Sequence, residues 1–137
     1  MLQQSDEVVL HLPLAPDAEL RAVDALDRMM ARHQVEDRAA GQARFALVEA
    51  CLNAIEYSEA ADESPTMDVR LVMRGGELRM SVGNPGSFQL ELFPQKPSQP
   101  RRGHGLKIIH AFMDRVRYLS DARGTRVEMS KRVGSGS

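Results

Sequence analysis

The chain has 137 residues, 42% of them hydrophobic and 27% charged, a composition typical of one globular domain rather than of a disordered or fibrous protein. Its 18 basic and 19 acidic side chains give a formal net charge of -1 at pH 7, which argues against direct binding to nucleic acid. Because Cys51 is the single cysteine and no apolar run approaches the roughly 20 residues that span a bilayer, we expect a cytoplasmic protein without disulfide or membrane segment.

The first half of the sequence predicts one strand followed by two helices. Residues 7–14 alternate in polarity or run apolar and include two β-branched valines, as in a strand. Apolar residues then recur every three or four positions between residues 15 and 33, which predicts an amphipathic helix. Residues 36–59 are rich in Ala, Glu and Leu and lack Pro, so they predict a long second helix in spite of Gly41 near its start.

A hairpin and a long loop follow. Residues 66–74 alternate in polarity, and after Gly75 and Gly76 the alternation returns in residues 77–82, which is typical of two antiparallel strands joined by a tight turn. Residues 83–102 hold four of the seven prolines and show little periodicity. A loop of this length in a compact domain usually has a function, so we predict a lid at about residues 86–102.

The last third of the sequence predicts a helix and a second hairpin. A helical pattern opens at Gly103, and residues 116–120 and 125–131 read as two strands. Helices and strands are not interleaved one by one, which favours an α+β fold: a two-layer α/β sandwich whose mixed, mostly antiparallel sheet is covered on one face by about three helices. We expect a single domain over residues 1–133 and a disordered tail or expression remnant at 134–137.

The predicted second helix carries two stripes of different chemistry. The apolar stripe consists of Phe45, Val48, Leu52 and Ile55, and the polar stripe consists of Glu49, Asn53 and Glu56. A carboxylate one turn before a carboxamide can hold a hard cation through oxygen atoms, while the carboxylate orients or deprotonates a nucleophile. For the spacing of Glu49 and Asn53 alone, the alternative is a solvated helix face.

Residues 101–106, Arg-Arg-Gly-His-Gly-Leu, enter the predicted third helix from the long loop. Glycines let backbone N–H groups approach an anion closely, and a helix N-terminus with arginines nearby favours phosphate. The alternative is a glycine-softened loop with solvated arginines.

Polar residues also stand at two predicted strand ends. Asn84, followed by Pro85 and Gly86, offers both a donor and an acceptor to the edge of an adenine, although an Asn-Pro-Gly turn needs no ligand. Gly124 and Thr125 open the last strand, where a hydroxyl beside a bare backbone can line the floor of a pocket or form a simple hairpin turn.

The cysteine and the histidines suggest no catalytic or metal site of their own. Cys51 lies among apolar positions without a positively charged neighbour, which predicts a buried structural thiol rather than a nucleophile. The four histidines, at positions 11, 33, 104 and 110, lack the spacing of metal ligands.

In combination, these segments resemble the ATP-binding boxes of the GHKL (Bergerat) superfamily, and most closely those of bacterial anti-sigma-factor serine kinases. The matching segments, in order, are residues 45–57, 84–86, 102–106 and 124–125, and the resemblance spans roughly residues 44–132. One box departs from the pattern, since the family's Asp-x-Gly-x-Gly is replaced by Asn84-Pro85-Gly86-Ser87-Phe88. A neutral acceptor makes a weaker hydrogen bond than a charged one, so we expect weakened adenine binding.

The resemblance implies a role for each matching residue. It makes Glu49 the general base on the attacking hydroxyl of a protein substrate and Asn53 the residue that holds Mg²⁺ beside ATP. It implies further nucleotide-binding positions at Asn84, Gly86, Arg102, Gly103, His104, Gly105, Leu106 and Thr125. Among these, Gly103 and Gly105 correspond to the box whose backbone N–H groups hold the phosphates, and Thr125 corresponds to a position near adenine.

The resemblance also implies partners. In the family the substrate is a serine or threonine of a small antagonist protein of the STAS type, and the same domain, often a homodimer, sequesters a sigma factor. We therefore expect a partner-switching kinase that uses ATP and Mg²⁺. The alternative is a non-catalytic module of the same fold that captures a sigma factor or another regulator. The ATP-binding part of a histidine kinase is less favoured, because no dimerisation and phosphoacceptor segment precedes the domain.

Overall fold

The computed structural model of the protein describes residues 5–57, 66–85, 107, 109–121 and 124–134. Its elements are β1 (Ser5–Pro13), α1 (Ala18–Arg32), α2 (Asp37–Tyr57), β2 (Thr66–Arg74), β3 (Glu77–Pro85), β4 (Arg115–Asp121) and β5 (Gly124–Arg132). Residues 107 and 109–112 are also helical and are called here the third helical segment. Each of these elements was predicted from the sequence.

The strands form a five-stranded sheet in the order β1-β2-β3-β5-β4, and all four pairings are antiparallel. β2 and β3 are joined by Gly75 and Gly76, whose φ angles of 58° and 80° lie in the left-handed region. Two-residue turns with positive φ match the twist of the strands that they join, which is why two consecutive glycines occur here. The predicted hairpin is confirmed.

The sheet buries one of its faces beneath the helices. In β2 the alternate residues Met67, Val69, Leu71 and Met73 are buried. On the other face of the strand, Thr66, Arg70 and Arg74 are exposed. α1 contacts β1 and β2, and α2 contacts α1 and β3, so both long helices cover the same side. This arrangement confirms the predicted two-layer α+β sandwich.

The buried face of α2 lies beside the predicted apolar stripe rather than on it. Phe45 is 45% exposed, and the residues that α2 buries are mostly small: Ala39, Ala43, Ala46, Leu47, Ala50, Cys51 and Ala54. Short side chains let the helix backbone approach α1 and β3 closely. The large residues of the stripe therefore lie at the margin of the core, where Val48, Leu52 and Ile55 are half-buried.

Two element boundaries differ from the prediction, each for a local reason. α1 begins at Ala18 and not at residue 15, because Asp17 has a φ of 76° and cannot continue a right-handed helix. β3 continues to Pro85, beyond its predicted end at Val82, because β5 pairs with its last three residues. The prediction that a loop begins at Gly83 is therefore wrong for residues 83–85, while residues 86–102, the predicted lid, lie outside the described residues.

Candidate functional site

The side chains of Glu49 and Asn53 belong to α2, the helix that packs against β3. Residues four apart in a helix lie one above the other on the same face. Both side chains are half-buried, so each lies partly accessible at the margin of the core. Such a pair can present a proton acceptor and an amide oxygen to the same ligand.

The predicted adenine positions come together in the sheet. Asn84 of β3 lies directly opposite Thr125 of β5 in the antiparallel register, two residues beyond the Val82–Val127 pair. Residues opposite each other in such a ladder have Cα atoms about 4.5–5.5 Å apart. Although the two are 41 positions apart in sequence, the fold makes them neighbours at the end of the strand that α2 covers.

A contact on the other face of the sheet, which sequence reasoning missed, fixes the same strand end. The guanidinium of Arg126 donates a hydrogen bond from Nη1 to Ser81 Oγ at 3.0 Å and lies over the backbone of Gly83. A Cβ atom at Gly83 would come within 3.0 Å of Arg126 Cζ. The sequence held one signal of this contact. Gly83 takes an outward position in an alternating strand, and a glycine there often marks the close approach of another group.

The third helical segment returns the chain to the core after the predicted lid. Ile109 and Met113 are buried, and Lys131 donates a hydrogen bond from Nζ to the carbonyl oxygen of Phe112 at 2.8 Å. Phe112 also meets Phe45 of α2 edge to face, with ring centroids 5.7 Å apart. The segment that follows the predicted phosphate-binding glycines is thus fixed against α2 just one turn from Glu49.

His110 and Tyr118 form a polar contact beside this segment. The Tyr118 hydroxyl lies 3.5 Å from His110 Nε2, and the two rings are 5.9 Å apart. Burial raises the pKa of Tyr118 to about 12, so its hydroxyl keeps its proton at neutral pH. It can act there as a hydrogen-bond donor but not as a base.

The predicted burial of Cys51 is confirmed. Its side chain is fully buried, and burial together with the nearby charge of Glu19 raises the pKa of its thiol to about 12. A thiol that keeps its proton is a poor nucleophile.

The remaining predicted nucleotide-binding residues lie outside the described residues: Gly86, Arg102, Gly103, His104, Gly105 and Leu106. Of the predicted site, the structure thus brings together Asn84 and Thr125 by register, and it places Glu49 and Asn53 on the helix packed against the same strand.

The donor set of α2 suits a magnesium ion shared with a nucleotide. The described residues contain no group of three or more His, Cys, Asp or Glu side chains that could hold a metal by itself. Mg²⁺ commonly takes only one or two protein oxygens and completes its shell with substrate phosphates and water. The amide oxygen of Asn53 fits that requirement.

Comparison with protein families identifies the family of the chain. The model of the histidine kinase-like ATPase domain matches residues 12–131. The chain belongs to this family. The match confirms the predicted membership of the GHKL superfamily, and it covers α1, α2 and all the strands except residues 5–11 of β1 and the last residue of β5.

Solved structures share the fold of this histidine kinase-like ATPase domain. A crystal structure of the RsbU and RsbW domains of a Mycobacterium tuberculosis protein matches 96% of the chain with a TM-score of 0.75 and 20% identity, and the present chain spans 34% of that chain. A chain of the SiaB–SiaC complex from Pseudomonas aeruginosa gives a TM-score of 0.68 at 14% identity, over 90% of this chain and 88% of that one.

A histidine kinase domain from the blue-light activated histidine kinase of Erythrobacter litoralis gives a TM-score of 0.58 at 18% identity, over 88% of this chain and 61% of that one. At these identities the likeness shows the fold alone. A search of curated sequences finds no significant match. No helix among the described residues is long and apolar enough to cross a membrane.

Proposed function

We propose that this histidine kinase-like ATPase domain binds ATP with Mg²⁺ beside α2, at the ends of β3 and β5, and acts as a regulator of the anti-sigma-factor type. In this proposal it is a serine/threonine kinase whose substrate is a small antagonist protein. The observation that supports it most is the register that sets Asn84 opposite Thr125 on the strand packed against the Glu49–Asn53 helix, within a chain of this family.

In this proposal, different residues bind the nucleotide and transfer the proton. ATP supplies the γ-phosphoryl group when it is bound. Asn53 would hold Mg²⁺ through its amide oxygen, and the backbone N–H groups of Gly103 and Gly105 would hold the phosphates. Glu49 would accept the proton of the attacking serine or threonine hydroxyl, because this half-buried carboxylate one turn from Asn53 would lie beside an ion held there.

Protein partners are proposed by analogy with the neighbours of the same fold. SiaB was crystallised in complex with SiaC, which supports a small protein as the partner of this chain too. Phosphorylation adds about -1.5 to -2 charges to the modified hydroxyl at pH 7, and this is enough to change which partner binds. We propose that the released domain, as a cytoplasmic homodimer, then sequesters a sigma factor or a comparable regulator.

A non-catalytic module is the second candidate, and the altered box favours it. Asn84 stands where the family has an acidic residue, and Pro85 at the next position has no N–H to donate. A domain with this box binds nucleotide more weakly and can retain only the capture of a partner.

Calorimetric titration of the full chain with Mg-ATP tests the nucleotide site. We expect saturable binding that Asn53→Ala abolishes and that Gln42→Ala, a substitution nearer the start of the same helix, leaves unchanged. No binding at millimolar nucleotide would contradict the proposal. Transfer of label from ATP to a candidate antagonist then separates the two functions, because firm complex formation without labelling supports the non-catalytic module.

A further inference from the structure

The face of the sheet that the helices leave uncovered is rich in arginine. The outward positions of β2 to β5 carry seven of the fifteen arginines of the chain and four acidic residues, and Glu7 of β1 adds a fifth acidic residue. The arginines are Arg70, Arg74, Arg79, Arg115, Arg117, Arg126 and Arg132. This face is therefore positively charged although the chain as a whole has a net charge of -1.

Elsewhere on the face most of the charged side chains have a partner on a neighbouring strand, and Arg126 has the Ser81 hydroxyl. Arg70 Nε lies 2.7 Å from Glu7 Oε2, and His11 Nδ1 lies 2.7 Å from Asp68 Oδ1. Near the opposite edge of the same face Arg117 Nη1 lies 3.5 Å from Glu128 Oε1. These pairs join neighbouring strands across the ladder.

Fewer of the arginines have a partner at the end of the sheet where β2 turns into β3. Two adjacent register rows bring together Arg74, Arg79, Arg115 and Arg132, which we call the turn-end arginine patch. All four residues are exposed. Within the patch Arg79 pairs with Glu77 at 3.1 Å, whereas the side chains of the other three make no ion pair with any described residue.

The fold holds this patch in place. Arg132 donates its backbone N–H to Asp114 Oδ2 at 2.7 Å, and Gly76 in the turn accepts hydrogen bonds from the N–H groups of Val133 and Gly134. The turn and the end of β5 are thus bonded to each other. The patch holds four guanidinium groups against the carboxylates of Glu77 and Asp114, and this excess of positive charge favours the binding of an anion.

We propose that the turn-end arginine patch binds an acidic segment of a partner protein. Guanidinium forks match carboxylates in a bidentate geometry, and the patch contains arginines and no lysine. Nucleic acid fits less well, because the outward positions of the described strands carry no Phe, Tyr or Trp on which a base could stack, and the chain has no basic excess. The occupant is therefore a run of Asp and Glu side chains.

This surface is separate from the proposed nucleotide site. It lies on the face opposite the helices and at the other end of β3, since Glu77 is seven residues from Asn84 and a strand advances about 3.3 Å per residue. The proposal does not rest on ATP binding, and a partner held here would leave α2 accessible.

Fluorescence anisotropy of a labelled oligo-glutamate peptide, titrated with the full chain, tests the proposal. The double variant R74E/R132E should weaken binding on the order of tenfold, and added salt should weaken it further. The matched control R21E/R38E makes the same change in net charge at two exposed helix arginines and should change affinity by less than about twofold. Equal losses in both variants would overturn the proposal.

Two further measurements keep the outcome clear. Tighter binding of oligothymidylate or of phosphatidylserine vesicles than of the peptide would overturn it in favour of nucleic acid or membrane. If R74E/R132E fails to fold by circular dichroism, R74Q/R132Q replaces it, with the same loss of affinity expected. Mg-ATP titration of these variants should match the unmodified chain, so failure of this proposal and failure of the nucleotide site are distinguishable.

Discussion

The guanidinium of Arg126 lies over the backbone of Gly83, so close that a Cβ atom on Gly83 would be 3.0 Å from Arg126 Cζ. The two residues are register partners on β5 and β3, and Gly83 immediately precedes Asn84. The side chain continues across β3 to Ser81 Oγ, 3.0 Å from Nη1. The end of β3 beside Asn84 is thus covered by Arg126 on the face away from the helices.

Gly83→Ala should lower the free energy of unfolding by about 1 kcal/mol, because the added methyl displaces Arg126 from its hydrogen bond with Ser81. Gly41→Ala is the matched control. No atom lies within 4 Å of its added Cβ, and alanine favours a helix, so this variant should gain up to about 1 kcal/mol. Urea unfolding measures both changes.

The role of Arg126 in this loss of stability is tested by making the same substitution in a variant that lacks the guanidinium. In a chain that already carries Arg126→Ala, Gly83→Ala should be nearly neutral, since the group that the methyl displaces is gone. An equal loss with and without Arg126 would show that the backbone of β3, and not the guanidinium, requires the glycine.

Glu49→Gln should remove phosphoryl transfer while Mg-ATP still binds, because the amide keeps the shape of the side chain but cannot accept a proton. A fall of at least about 100-fold in labelling of an antagonist protein is expected for the loss of a general base. Glu36→Gln, an exposed glutamate before α2, is the control and should label normally. Transfer that survives Glu49→Gln would exclude Glu49 as the base.

The sequence sufficed to predict the elements because their cues are local. The alternation of residues 66–74 and the following Gly75-Gly76 pair specify a strand and a turn without reference to the rest of the chain, and both lie where they were predicted. Glu49 and Asn53 share a helix face for the same reason, since a spacing of four residues fixes it.

Features that depend on neighbouring elements could not be predicted in this way. β3 continues to Pro85 because β5 offers paired partners there, and nothing within residues 83–85 indicates a strand. The buried face of α2 is set by close approach to α1 and β3, so Ala46 and Ala50 are in the core while Phe45 is partly exposed. The Arg126–Ser81 contact joins residues 45 positions apart and has no sequence pattern.

Cys51 should react with a thiol reagent far more slowly in the folded protein than in guanidinium chloride, by more than about 100-fold at pH 8. Its side chain is fully buried, and its pKa of about 12 leaves very little thiolate. Rates measured with Ellman's reagent check this prediction. Rapid stoichiometric labelling of the native chain would instead show frequent opening between α1 and α2.

Two leucines of α1 allow the effect of the same substitution on stability to be compared between the core and the surface. Leu26 is fully buried and Leu20 is 57% exposed. Leu26→Ala should cost about 2–4 kcal/mol in the free energy of unfolding, because it removes buried atoms and leaves a cavity, whereas Leu20→Ala should change it by less than about 0.5 kcal/mol. A comparable loss at Leu20 would show that this residue is covered in solution, as in the proposed homodimer.

Asp6 links the beginning of β1 to the end of α1. Its Oδ2 lies 3.0 Å from Arg32 Nε and 3.0 Å from His33 Nε2, and the hydrogen bond from Arg32 lowers the pKa of the carboxyl below its ordinary value of 3.8, while partial burial opposes the shift. As pH falls, the unfolded chain therefore takes up this proton before the folded chain does. The stabilisation is complete above pH 3.8 and is lost as pH falls through the lower folded value.

Asp6→Asn should accordingly lower stability by about 1 kcal/mol at pH 7 and by progressively less as the pH falls below 4, where the unmodified chain loses the same charge. Asp24→Asn is the control, because its pair with Arg28 is exposed, with 63% of the Asp24 side chain accessible, and should contribute less than about 0.5 kcal/mol at any pH. Urea midpoints of the three proteins, measured at pH 7 and at about pH 3, test this prediction. A difference between Asp6→Asn and the unmodified chain that stays constant down to pH 3 would show that the asparagine acts through packing and not through the lost charge.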